Sequence, residues 1–150
     1  MKVYILYAML AGIAWGLGGY FEKAGLQAMK MPAIVGITLR TFVALIILAL
    51  LSLPAWKNIS NPADIKAWWM ILIGGGIIAG SLGMWSFYAA LSTSENLGVT
   101  LAVAFAIAPI TGAVIGLING TQKIDFKIAL GLLAIIGGIV LIQISHKTGS

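Results

Sequence analysis

The sequence has no cysteine and a single histidine, His146, which lies in a polar C-terminal tail. Disulfides, thiol nucleophiles and cysteine-based metal sites are therefore excluded, and one histidine makes neither a metal cluster nor a catalytic dyad. No phosphate-binding loop or dinucleotide fingerprint is present, so a hydrolytic or redox enzyme has no machinery to use, and neither metal nor cofactor is expected. Charge is equally sparse, at 9% of the 150 residues, with 9 Lys and Arg against 4 Asp and Glu. No basic run or basic and aromatic patch appears, which argues against nucleic acid, while the cationic surplus suits anionic lipid headgroups.

What remains is apolar: 61% of the residues are hydrophobic, a balance far from that of soluble domains. About 20 helical residues cross a hydrocarbon layer roughly 30 Å thick, and five apolar runs of that order occur, at 3–26, 33–53, 67–91, 97–118 and 127–145. The expected fold class is all-α, a polytopic membrane protein of five transmembrane helices forming a single domain over 1–150. The first run passes into the bulky "YFEK" rather than a small-residue cleavage site, so it reads as a retained helix.

The connectors carry turn chemistry. Pro32 opens the second helix, and Pro54 and Pro62 accompany an aromatic belt of Trp56, Trp68 and Trp69. Ser92-x-x-Glu95 has the spacing of a capping box for the fourth helix. Asp64 and Asp125 lie in connectors among lysines and read as solvated charges. Gly12-x-x-x-Gly16, Gly76-x-x-x-Gly80 and Gly112-x-x-x-Gly116 predict close helix packing, which says little about function.

Ionised side chains at membrane depth are informative, because each costs about 2.5–3.5 kcal/mol at a helix centre. Glu22, Lys23 and Arg40 qualify. Arg40 lies about eight residues beyond Pro32, or roughly 12 Å into its helix at about 1.5 Å per residue. The hairpin at 27–32 brings all three to one side of the membrane, where a Glu22–Arg40 pair would lower the cost of both charges. Lys23 would then face a water-filled cavity or an anionic substrate group. The alternative is structural: Glu22 and Lys23 snorkel to the interface and Arg40 staples two helices.

Trp15, Gly19, Glu22 and Lys23 share one helical face. Trp85 and Tyr88 form a second aromatic edge, either lining the same cavity or serving as packing and interface anchors. Pro109, in mid-helix, withdraws the backbone donor that would serve Phe105 and predicts a kink, either flexible or static.

These residues resemble the EamA-type branch of the drug/metabolite transporter superfamily. Trp15-Gly16 with Lys23 eight residues after the tryptophan, Arg40 in "LRTFVAL", "YAAL" at 88–91 and Pro109 follow the family's order across nearly the whole chain. Where family members often carry a Gly-Glu pair after the fourth helix, this chain has Asn119-Gly120-Thr121, and Glu22 is not part of the general pattern. The resemblance implies an integral protein of a prokaryotic plasma (inner) membrane that moves small metabolites, such as amino acids or related polar or amphipathic compounds, by alternating access.

Typical members of the family have two five-helix halves of opposite orientation, and this chain is similar to one half of that inverted-repeat fold. The resemblance therefore implies a dimer, with an antiparallel homodimer one option. Trp15, Lys23, Arg40, Trp85 and Tyr88 are the candidate substrate-binding residues, with Glu22 as the coupling or counter-ion site.

Two other readings stay open, the first of them again a resemblance. One is proton-coupled efflux like that of small multidrug resistance proteins, whose first-helix glutamate sits nearer mid-membrane than Glu22. The other is a non-transporting scaffold subunit. Lys2, Lys57, Lys66, Lys123 and Lys127 lie on the N-terminal side, against Lys23, Lys30 and Lys147, with Arg40 reaching toward the latter. So slight a bias favours the N terminus inside while leaving dual insertion open.

Overall fold

The computed structural model describes residues 3–58 and 65–148, which are helical apart from their short connections. Pro62 and Asp64 fall outside the described residues, as do the side chains of His146 and Lys147. Four helices are long and apolar enough to cross a membrane: α1 (Val3–Met29), α2 (Ala33–Ser52, continued helically to Trp56), α3 (Ile65–Thr93) and α4 (Leu97–Ile118). The last helix, α5 (Phe126–Thr148), carries a shorter apolar stretch, Phe126–Ile142, about 25 Å long at 1.5 Å per residue. The protein is an all-α polytopic membrane protein, and large apolar side chains such as Leu45, Leu48 and Leu51 are exposed along its helices, as lipid-facing surface requires.

The chain divides into two compact units, residues 1–93 and 94–150. In the first, the end of α3 (Met84–Thr93) packs against both α1 and α2. Gly19 and Leu26 of α1, Ile37 of α2, and Tyr88 and Leu91 of α3 are buried there. Gly36 lets α2 approach: a Cβ at this position would lie 2.6 Å from Leu26 Cδ2 and 3.3 Å from the Tyr88 ring. An alanine needs only a small movement of the leucine, whereas Gly36→Val must displace both neighbours. We expect that substitution to cost about 2 kcal/mol in unfolding measured in detergent.

The α1–α2 turn is a Schellman motif. Met31 N–H donates to the Leu26 carbonyl (3.0 Å) and Lys30 N–H to that of Gln27 (3.3 Å), with Lys30 in the left-handed region at φ 48°. Glycine usually occupies such a position, because a Cβ there is strained by about 1–2 kcal/mol. Lys30→Gly should accordingly raise stability by about 1 kcal/mol in the same unfolding measurement, with the fold unchanged.

The middle of α3, Met70–Gly83, is wound as a π-helix. Such winding is normally confined to a single turn, and this stretch is rich in glycine, the most permissive residue. Two contacts record the i−5 geometry: Ser81 Oγ donates to the Gly76 carbonyl at 3.1 Å, and a Cβ on Gly80 would lie 3.0 Å from the Gly75 oxygen. At the end of α2, Trp56 Nε1 donates to Ser52 Oγ (2.8 Å), which in turn donates to the Ala49 carbonyl (2.9 Å).

In the second unit, α4 packs against α5. The helix caps differ from expectation. Asn96, rather than a Ser92–Glu95 box, caps α4 by accepting from Val99 N–H at 3.3 Å, while Ser92 Oγ donates back to the Ala89 carbonyl within α3. A side chain inside the preceding helix is already engaged by its own backbone, so the first non-helical polar residue takes the cap. Asp125, although exposed, does more than carry a solvated charge. Its carboxylate accepts from Ile128 N–H at 2.8 Å and caps α5.

After α4, Gly120 takes φ 65°, and the Gly116 carbonyl receives Thr121 N–H, Gln122 N–H and Thr121 Oγ1. The Asn-Gly-Thr sequence thus closes α4 with a second Schellman turn. Pro109 is exposed, and α4 continues through it from Leu97 to Ile118.

Candidate functional site

Three helices each contribute one polar side chain to a single cluster in the first unit. Glu22 lies about seven residues before the end of α1 and Arg40 about seven after the start of α2, so the hairpin sets both about 10 Å in from the same end. Arg40 Nε donates to Glu22 Oε1 at 2.8 Å, within the range of a charge-assisted bond. From α3, the buried Tyr88 comes close to the same carboxylate. The Glu22 side chain is 18% exposed and that of Arg40 36%, while Tyr88 is buried. The acid is therefore enclosed and the base opens outward.

Local sequence explains this placement. Gly19, Glu22 and Leu26 follow one another at helical spacing on α1, and Gly19 and Leu26 are buried around the carboxylate. Leu26 and the Tyr88 ring cover Gly36, one turn before Arg40 on α2. Close packing at that glycine brings α2 near enough for Arg40 to reach back across to α1. Lys23, adjacent to Glu22, is half-buried.

A groove of about 350 Å³ runs between α2 and α3, lined by Thr38, Thr41, Phe42, Ser81 and Trp85 among others. Its wall is mostly apolar, and two of its hydroxyls are engaged with their own helices: Thr38 Oγ1 donates to the Ile34 carbonyl (2.7 Å) and Ser81 Oγ to that of Gly76.

The candidate residues thus separate. Glu22, Arg40 and Tyr88 meet, and Trp85 lines the groove. Trp15 is half-exposed on α1 and does not line the groove. Tyr88 lies inward at the three-helix junction, close to the acid. Pro109 belongs to the second unit. Thr38, Thr41 and Ser81 were missed by sequence reasoning, although hydroxyls three apart beside Arg40 in "TLRT" are a visible signal.

The model of the EamA-like transporter family matches residues 2–144. The chain belongs to the EamA-like transporter family. No curated protein and no solved structure matches it. Membership makes the chain a membrane transporter by family, and the helices that position Glu22, Arg40 and Tyr88 are transporter helices embedded in lipid. For an EamA-like protein this arrangement has a clear chemical capacity. A guanidinium carries five donors in a rigid fork, and the Glu22 contact engages its Nε side.

Proposed function

We propose that this chain is a half-size transporter that moves a small polar or amphipathic metabolite by alternating access, working as a dimer in which each subunit supplies five helices. The observation that carries the proposal is the Glu22–Arg40 ion pair at membrane depth. A pair of ionised side chains is costly there, and such groups characteristically mark substrate or ion pathways. A structural staple would be served by apolar packing at lower desolvation cost.

In this reading Arg40 and Lys23 provide the positive end of the substrate site, and Trp15 and Trp85 provide apolar faces. Glu22 balances the cations. Tyr88, buried close to Glu22, completes the inner wall of the site. Two oppositely inserted copies recreate the inverted repeat in which a central cavity opens to each side in turn. An integral protein of a prokaryotic plasma membrane is the setting the family relation favours.

Purified protein reconstituted into liposomes tests the proposal by counterflow of labelled metabolites against a preloaded unlabelled pool. Saturable exchange above protein-free liposomes is expected, and Arg40→Gln should reduce it at least about tenfold, since a charge-assisted contact contributes about 1.5–3 kcal/mol. Absence of exchange with every amino acid, amine and carboxylate offered would instead point to a scaffold subunit.

A further inference from the structure

The middle of α3, Met70–Gly83, is π-wound over 14 residues, where such winding is normally limited to a single turn. Packing against other helices does not hold it so. None of its residues is buried, and a Cβ added to Gly74, Gly75 or Gly76 would meet nothing within 4 Å. The following stretch of the same helix, Met84–Thr93, is by contrast packed against both α1 and α2. An unpacked segment thus joins an anchored end of α3 to its start at Ile65.

The contacts specific to π winding lie within the segment itself. Ser81 Oγ donates to the Gly76 carbonyl, five residues back, at 3.1 Å, and Met84 N–H reaches the carbonyl of Ala79. Both have an equivalent in α winding, where the acceptor is four residues back. Ser86 Oγ already uses that geometry with Leu82 at 2.9 Å, as does Thr38 with Ile34 at 2.7 Å. Hydrogen bonding therefore does not choose between the two windings, and the five glycines of the segment carry no side chain that could. Gly80 is where a side chain would choose: a Cβ there would lie 3.0 Å from the Gly75 oxygen, so the π turn depends on its absence.

We propose that Met70–Gly83 is a length switch, π-wound in the state described and α-wound in a second, whose conversion changes the distance between the Trp68–Trp69 end of α3 and the groove-lining Trp85. Rise per residue falls from about 2.0 Å with i→i+3 bonds to about 1.5 Å with i→i+4, and on the same trend to about 1.1 Å with i→i+5. Over the 14 residues the α state is longer by about 5 Å. Wound as α throughout, the 29 residues of α3 would span about 44 Å against a hydrocarbon layer of roughly 30 Å. The π state takes up part of that excess, so a thin bilayer favours π and a thick one α. Gly80 and Ser81 belong to the switch and also line the α2–α3 groove, so the winding alters the groove wall. A part for the switch in transport rests on the transporter reading above, whereas its existence does not.

The experiment uses the full chain, which has no cysteine of its own. Ala67→Cys with Ser86→Cys, both exposed and on either side of the π stretch, take a pair of spin labels. Their separation is read by pulsed dipolar spectroscopy in dimyristoyl and in dierucoyl phosphatidylcholine bilayers, without solute. Two distances about 5 Å apart are expected. The ratio of longer to shorter should rise at least about threefold in the thicker bilayer. Gly80→Ala, which crowds the Gly75 oxygen only in the π state, should raise the ratio about fivefold or more. Gly76→Ala makes the same change of composition without that contact and should move the ratio by no more than about twofold.

A single distance in both bilayers overturns the switch. Two distances whose ratio ignores both bilayer thickness and Gly80→Ala also overturn it, because they then belong to the labels and not to the helix. Counterflow of labelled metabolites through the same liposomes separates the two claims. Exchange alongside a single fixed distance sinks the switch and leaves the transporter standing, whereas a responsive pair of distances without exchange does the reverse.

Discussion

Tyr88→Ala should destabilise the protein by about 4 kcal/mol, the largest effect expected of any single substitution in the first unit. The ring is buried where α1, α2 and α3 meet, and it covers Gly36. Truncation opens a cavity among helices whose association depends on van der Waals packing, because lipid supplies no hydrophobic drive to close it. Tyr88→Phe keeps the ring's packing and removes only the hydroxyl, so the cost should fall to about 1 kcal/mol. Detergent-solubilised protein unfolded by heat or denaturant reads both values. A Phe variant as unstable as the Ala variant would show that the hydroxyl, and not the ring, holds the junction.

Arg40→Ala should cost about 3 kcal/mol, because it leaves Glu22, only 18% exposed, as an uncompensated acid among apolar helices. The converse change, Glu22→Gln, should cost less, about 1–2 kcal/mol, since the more exposed arginine can shift its head toward the interface. The double variant Glu22→Gln with Arg40→Ala should recover about half of the sum, giving a coupling energy of about 2 kcal/mol between the two sites. Strict additivity in that cycle would mean that the 2.8 Å contact contributes nothing to stability.

Different physical properties explain what the sequence made legible and what it did not. Length and apolarity define a membrane span, so all five helices were readable, with ends displaced by a few residues where turn geometry intervenes. The run placed at 3–26 continues to Met29 because the Schellman turn closes on Lys30. Glu22 and Arg40 were legible as partners because burying either charge alone is so costly that the hairpin's geometry leaves few alternatives.

Tyr88 was read beside Trp85 as either a cavity-lining or a packing residue, and the structure buries it among the helices. Helices that are apolar all round carry no amphipathic stripe to announce which side packs, so facing is decided by neighbours rather than by local pattern. The π winding of Met70–Gly83 compounds this, since it changes the angular register of everything downstream in α3. Caps were misread for a related reason. Ser92 and Glu95 have the right spacing, but α3 extends to Thr93 and consumes the first of them.

The central claim is that two copies of this chain, inserted in opposite senses, make one complete transporter. Its lysines permit this, with five on the N-terminal side against three on the other, or four cations there when Arg40 is included. The most direct test is the orientation of the C terminus in the native membrane, read by paired reporters each active on only one side. The account predicts signal from both reporters, in comparable amounts. A single orientation would contradict the antiparallel homodimer and require either a parallel pair or a separate, oppositely inserted partner chain.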